Sequence, residues 1–153
     1  MNLIIGFLKP TEGALYIDDN DITELSLPDY RHFISVVPQN SVLFAGSIRQ
    51  NIVYGLENVD EKDVERVAEM ANLNEFLKDL PDGLYTFIVE QGGKNLSGGQ
   101  MQRLCIARAL VKKPGILILD DSSSALDYAT DAALRKSLSS LSYNPTVITV
   151  SQR

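Results

Sequence analysis

Short apolar runs recur along the chain at the length of β-strands. Four consecutive apolar residues at 116–119 predict a buried strand of a parallel sheet. The β-branched run at 146–150 predicts a second buried strand. Residues 33–37 and 14–19 predict two more strands, with a turn at residues 19–20 after the latter.

Between these runs, apolar residues recur at the three- and four-residue spacing of helices. Asp127 is a suitable N-cap for the last of these helices, and residues 81–83 end the second, because proline and glycine break a helix. Residues 47–54 fit either a short helix or an irregular segment. Strands alternating with helices favour an α/β fold. The periodic positions form three groups: Val64, Val67, Ala68 and Ala71; Leu73, Phe76, Leu77 and Leu80; Leu134, Leu138 and Leu141.

The segment Leu96-Ser97-Gly98-Gly99-Gln100 precedes a helix-forming run. Ser97 is a good N-cap residue. The first N–H groups of a helix are unpaired and carry partial positive charge, which suits a phosphate. Gly98 and Gly99 have no Cβ atom, so a phosphate can approach the backbone closely. For this segment taken alone, an ordinary loop before a helix is the alternative.

Two carboxylates follow the apolar run at 116–119. In open α/β sheets, ligands lie beyond the carboxyl ends of the strands. Asp120 is therefore expected to give an oxygen ligand to a Mg²⁺ ion bound to phosphates, directly or through water. The alternative is that Asp120 and Asp121 form a solvated turn after the strand.

Composition and charge limit the range of functions. A chain of 153 residues suits one domain, and 44% hydrophobic with 22% charged residues is ordinary for a globular protein. The net charge of −6 argues against nucleic acid as a main partner. Because the chain has a single cysteine, Cys105, it cannot form an intrachain disulfide. Cys105 is expected in the core. The single histidine, His32, is expected to be exposed to solvent. No apolar stretch approaches the ~18 residues of a membrane-spanning helix, and no signal peptide is evident.

Taken together, the pentapeptide at 96–100, the helical segment after it and the apolar run that ends at Asp120-Asp121 resemble the nucleotide-binding domain of ATP-binding cassette (ABC) transporters. The resemblance implies a P-loop NTPase core of RecA type with an inserted α-helical subdomain, and ATP with Mg²⁺ as cofactors. It divides the chain into an incomplete α/β core at 1–40 and 101–153 and a mainly helical subdomain at 41–100.

The resemblance also implies roles for single residues. Residues 96–100 are the family's signature motif, with Ser97 to Gln100 facing the nucleotide. Gln39 matches the glutamine of the Q-loop, which contacts Mg²⁺ or the attacking water and couples to the transport domains. Residues 124–127 look like the D-loop, a dimer-contact segment, so Asp127 is expected near the nucleotide.

The P-loop pattern G-x-x-x-x-G-K-[ST] does not occur in the chain. Gly93-Lys94 is the only glycine–lysine pair, and Ile88 and Asn95 break the pattern around it. Residues 2–13 instead look like the end of the helix that follows a P-loop, with its exit turn. We therefore expect a chain truncated at both ends, beginning just after the P-loop lysine and stopping before the family's last strands.

Residues at the hydrolytic site depart from the family pattern. Asp121 stands where the family usually has a glutamate that polarises the attacking water, and aspartate is shorter by about 1.5 Å. Gln152 stands where the family has a switch histidine, and glutamine cannot titrate near neutral pH. Gln91 also replaces a glutamate before the signature. The resemblance thus favours the hydrolysis-impaired half of a heterodimeric exporter.

In such a pair, each ATP lies between the P-loop of one cassette and the signature of the other. The implied partners are a second cassette and transmembrane domains, at the cytoplasmic face of the cell membrane and without membrane insertion of this segment. One alternative is a competent exporter cassette that uses Asp121. Others are an inactive truncated fragment and a soluble cassette ATPase of DNA repair or chromosome organisation, although residues 10–13 and 39–52 resemble exporters. Whether the chain alone is an enzyme stays open.

Overall fold

The structure is a computed structural model that describes residues 1–88, 96–122 and 126–151. Strands and helices alternate along these ranges, as the sequence pattern predicts for an α/β protein. The strands are β1 (Tyr16–Ile17), β2 (Asn20–Asp21), β3 (Ile34–Val37), β4 (Gly46–Ser47), β5 (Phe87–Ile88), β6 (Ile116–Asp120) and β7 (Thr146–Val150). The helices are α1 (Leu27–Phe33), α2 (Ile48–Ile52), α3 (Glu61–Met70), α4 (Asn74–Leu77), α5 (Gly98–Val111) and α6 (Tyr128–Ser139).

Strands β3, β6 and β7 form a three-stranded parallel sheet in the order β3-β6-β7. In its register, Val37 of β3 pairs with Leu119 of β6, and Asp120 pairs with Val150 of β7. All three strands therefore end at the same edge. Two short antiparallel pairs, β1-β2 and β4-β5, lie outside this sheet.

The central strand β6 is covered on both faces, which explains its unbroken apolar run. Leu117 and Leu119 belong to the larger core cluster, with the buried residues of α2, α3 and α5. Ile116 and Ile118 belong to a second cluster, with Tyr30 of α1. The prediction of a buried parallel strand at 116–119 is confirmed.

Helix α5 lies at the centre of the larger cluster and contacts β3, α2 and α3. Most of its residues from the second turn onward are buried, including Cys105, which confirms the core position expected for the cysteine. His32 of α1 is exposed, as expected. Helix α5 therefore links the sheet to the helices of the 41–100 segment.

The prediction that the run at 146–150 is buried is wrong. Strand β7 forms as predicted, but it is the outer strand of the sheet, and Val147 and Val150 are 40% and 43% exposed. β-branched residues fit a pleated strand whether or not its faces are covered, so their presence did not determine burial.

Three local predictions also need correction. Phe33 ends helix α1, which the apolar pattern did not predict, so the strand begins at Ile34. Strand β1 covers two residues of the predicted 14–19. The turn falls on Asp18 and Asp19, both with positive φ, rather than on residues 19–20. Aspartate tolerates this left-handed conformation better than most side chains.

Within residues 47–54, which the sequence left open, Ile48–Ile52 form helix α2, with a capping box at Ser47 and Gln50. Of the second periodic group, Phe76 and Leu77 lie in the short helix α4 and are buried, whereas Leu73 and Leu80 flank it. The helix ends at Leu77, earlier than the end predicted at residues 81–83. Helices α2, α3 and α4 all lie within 41–100, but the division into two subdomains stays a prediction. Within the described ranges, no helix is both long and apolar enough to cross a membrane.

Candidate functional site

The start of helix α5 has the geometry that the signature segment predicts. The Ser97 hydroxyl accepts a hydrogen bond from the Gln100 backbone N–H at 3.2 Å, and the Gln100 side-chain oxygen accepts one from the Ser97 N–H at 2.8 Å. This reciprocal capping box fixes the first turn. Ser97 and Gly98 are exposed, and Gly99 and Gln100 are half-buried.

Among the described residues, and apart from its chain neighbours and the backbone of α5 itself, a Cβ atom added at Gly98 would meet no atom within 4 Å. The fold of this chain therefore does not require glycine at that position. A missing side chain there leaves the first N–H groups of α5 open to a group from outside the chain. That opening fits the predicted approach of a phosphate to the helix start.

A second group of polar side chains lies where β3 and β6 end. The Gln39 side-chain N–H donates to Asp121 Oδ2 at 3.0 Å, although 82 positions separate the two residues. Asp121 is buried and has φ 46°, a left-handed conformation. Its backbone N–H donates to the Val150 carbonyl at 2.8 Å, so the carboxylate is held at the end of the sheet.

The donor set at this edge suits magnesium. Because Gln39 donates through its nitrogen, its amide oxygen is left as an acceptor, and Asp120 is a half-buried carboxylate one residue before Asp121. Mg²⁺ prefers oxygen ligands and keeps several waters or phosphate oxygens. Among the described residues, no three acidic, histidine or cysteine groups converge on one point.

Asp127 caps helix α6, as predicted. One of its carboxylate oxygens accepts the Thr130 backbone N–H at 2.9 Å and the other accepts the Thr130 hydroxyl at 2.8 Å. These bonds, the backbone bond foremost, lower the pKa of the Asp127 carboxyl. That Asp127 lies near the nucleotide stays a prediction. Gln91, Gln152 and the first residues of the 124–127 segment lie outside the described residues.

A buried amide, which sequence reasoning missed, links the two polar regions. Gln102 of α5 is 1% exposed. Its amide oxygen accepts a hydrogen bond from the Ser41 hydroxyl, and its nitrogen donates to the Pro38 carbonyl at 3.3 Å. Helical spacing places Gln102 on the same face as the buried Cys105 and Ile106. A polar residue at such an apolar position was the signal that could have revealed it.

The Arg108 guanidinium, one and a half turns further along α5, holds the segment before and within α2. It donates to the Asn51 carbonyl, the Asn51 side-chain oxygen and the Val42 carbonyl, each at 2.8 Å. Burial lowers the pKa of the Arg108 guanidinium. The guanidinium carbon lies 5.2 Å from the ring centre of Phe44, which stacks on Tyr54 at 4.0 Å.

The two aromatic rings beside Arg108 are exposed, Phe44 by 40% and Tyr54 by 57%. A cavity of about 370 Å³ borders this pair, with Asn51 and Val53 among its lining residues. Exposed stacked aromatics beside a cavity are common at protein contacts.

Comparisons with known proteins identify the family of this chain. The family described as "ABC transporter" matches residues 1–124. The chain is 43% identical over 152 residues to an uncharacterized ABC transporter ATP-binding protein, YwjA, of Bacillus subtilis, covering 99% of this chain and 26% of that protein. It is 45% identical over 147 residues to P-glycoprotein 14 of Caenorhabditis elegans, covering 96% of this chain and 11% of that protein.

A solved structure of a bacterial Atm1-family ABC exporter with ATP bound superposes with a TM-score of 0.89 at 35% identity, covering 99% of this chain and 27% of that chain. The chain thus spans between about a tenth and about a quarter of the length of these proteins. The predicted ABC cassette form of the P-loop NTPase fold is confirmed. The chain belongs to the ABC transporter family.

Proposed function

We propose that this cassette binds MgATP and drives export, that its own site hydrolyses ATP poorly, and that its signature completes a competent site on a second cassette. The proposal that this cassette's own site hydrolyses ATP poorly rests on the contact between Gln39 and Asp121. The open, capped start of α5 supports the role of the signature.

The residues of this chain divide the work between two sites. At the start of α5, unpaired backbone N–H groups stabilise the phosphates of a nucleotide held by the partner cassette. At the sheet edge, Asp120 and the Gln39 amide oxygen would hold Mg²⁺ bound to this cassette's own nucleotide. Magnesium neutralises developing charge on the phosphate oxygens.

Asp121 is badly placed to act as the base for attacking water. Its side chain is about 1.5 Å shorter than glutamate, and one of its oxygens already accepts the Gln39 amide at 3.0 Å. A displacement of about 1 Å at a reacting group can cost 10²-fold in rate. Asp121 therefore orients Gln39 rather than activating water.

The predicted partners and location belong to the same proposal. The exposed pair Phe44 and Tyr54, joined to α5 through Arg108, offers a face for a transmembrane domain. A cassette bound there lies at the cytoplasmic face of the membrane. The two cassettes form a heterodimer, since only a partner with an intact base compensates for Asp121.

One alternative is supported by a specific observation. Asp121 is a buried carboxylate at the end of β6, next to Asp120. If the contacts of Asp121, including the one with Gln39, rearrange when MgATP binds, Asp121 acts as the base, and this cassette is a slow but competent ATPase.

Restoring the family residues tests whether Asp121 and Gln152 limit hydrolysis at this site. Asp121→Glu with Gln152→His should raise hydrolysis at this cassette's own site by up to about 10²-fold, if base geometry limits it. Turnover is measured in the full-length transporter with the other site silenced. The matched control adds Asp120→Asn to the double variant, which should abolish the gain. An unchanged rate, with a normal signature on the partner, would show that the base is not limiting.

A further inference from the structure

We propose that Gln102 is a positioning residue that couples the two ATP sites served by this cassette. It ties the segment that carries Gln39 to the helix that begins with the signature. This inference rests on the proposed function, in which Gln39 belongs to one site and residues 97–100 to the other.

The bonds of Gln102 span both regions. On α5 it lies one turn after Gly98, and its amide bonds Pro38 and Ser41, the residues that flank Gln39 and Asn40. The chain of contacts runs from Asp121 through Gln39 and its segment to Gln102 and the start of α5. Each link is a direct hydrogen bond or a short run of covalently joined residues, the longest being residues 98–102 at the start of α5.

Burial makes this connection stiff. Gln102 is 1% exposed, so no bulk water replaces a bond that breaks. Leaving a buried donor or acceptor without a partner costs about 1–3 kcal/mol. The segment around Gln39 therefore moves together with the start of α5, because moving alone would break both amide bonds.

The amide is not needed to keep α5 in place. Leu104 and Leu110 are fully buried in the larger core cluster, and Arg108 separately anchors the helix to Asn51 and Val42. Replacing Gln102 by methionine preserves length and most of the volume. Such a variant removes the two bonds while the helix keeps its apolar packing.

Coupling between two sites is reciprocal and is measured as a change in one site's affinity when the other is altered. In the full-length transporter, Gln39→Ala should change the ATP concentration that half-saturates photolabelling of the second cassette by about 5-fold or more. In a Gln102→Met background, the same Gln39→Ala change should shift it by less than about 2-fold.

Three further variants separate positioning from general damage. Ser41→Ala removes one of the two bonds and should reduce the coupling partly. Ser41→Thr keeps the hydroxyl on a half-buried residue and should retain the coupling. Met101→Leu, at the neighbouring position of α5, conserves volume and should leave the coupling at the wild-type value.

The outcomes separate this inference from the function it rests on. If the wild-type transporter shows no saturable ATP labelling of the second cassette, the proposed function fails and the inference with it. If labelling is normal and Gln39→Ala shifts it equally with and without Gln102→Met, only the coupling role of Gln102 is overturned. If Gln102→Met is not expressed, the coupling is measured in Ser41→Ala alone. An unreduced coupling in that variant would then overturn the role of Gln102.

Discussion

Replacing Arg108 tests how α5 holds the segment around α2. The Arg108→Met change removes three hydrogen bonds from a charged donor, to the carbonyl and side-chain oxygens of Asn51 and to the Val42 carbonyl. It also removes the cation above the Phe44 ring. Asn51 is 1% exposed and also bonds the backbone of Phe44 and Ser47, so the loss reaches a buried network.

The size of the effect follows from these contacts. Hydrogen bonds to charged groups contribute about 1.5–3 kcal/mol each, but bonds to one network are not additive. Leaving buried neutral acceptors without their donor costs about 1–3 kcal/mol. For a chain of this length, that loss of unfolding free energy corresponds to a lowering of Tm by roughly 2–12 °C.

Urea unfolding followed by far-UV circular dichroism measures the free energy. Arg108→Lys keeps the charge but not the planar fork and should recover only a small part. The matched control, Arg135→Met, removes an arginine that is 57% exposed and pairs with Asp131 along the same helix, and should cost less than about 0.5 kcal/mol. A loss below about 1 kcal/mol in Arg108→Met would refute the argument that these bonds anchor α2.

Three further predictions concern capping, acid stability and nucleotide binding. Ser47→Ala should lower the unfolding free energy by about 1 kcal/mol, because Ser47 caps α2. The control Ser26→Ala, at the uncapped start of α1, should change the unfolding free energy little. Equal losses in the two variants would contradict the capping role of Ser47. The Arg49 hydrogen bond lowers the pKa of Glu61 from 4.5, so the stability from this pair is complete above that value and is lost as pH falls through the folded-state pKa. Glu61→Gln should reduce this loss of unfolding free energy at acid pH, as measured by urea titrations at several pH values. An unchanged loss would contradict the contribution of the pair. The 153-residue chain alone contains no P-loop pattern and should not bind MgATP with micromolar affinity, and calorimetric titration checks this.

Strong local signals predicted the elements that carry the site. Ser97 before a helix-forming run and the apolar run at 116–119 specified α5 and β6, because capping and continuous burial depend on neighbouring residues. Helix α1 was missed because its sequence has no apolar period, although Pro28 near its start is a recognised start signal.

Contacts between distant residues could not be predicted. Gln39 and Asp121 are 82 positions apart, Ser41 and Gln102 are 61, and Arg108 and Asn51 are 57. These pairs meet because β3 and β6 lie side by side and α5 packs against α2. The exposure of β7 likewise depends on which strands lie beside it, and β-branched residues do not carry that information.

The central claim is that this cassette's signature acts on a nucleotide held by a second cassette. Gly99→Asp places a carboxylate at the start of α5, where like charge and added bulk oppose a phosphate. The matched control, Ser26→Asp, adds the same charge at the start of α1, where aspartate is a favourable cap.

The decisive measurement is steady-state ATP turnover of the full-length transporter carrying Gly99→Asp. Most of the turnover should be lost in this variant, although this cassette's own site contributes little of it, while Ser26→Asp should keep the wild-type rate. Near-normal turnover in Gly99→Asp would contradict the role of the signature in a site on the partner cassette.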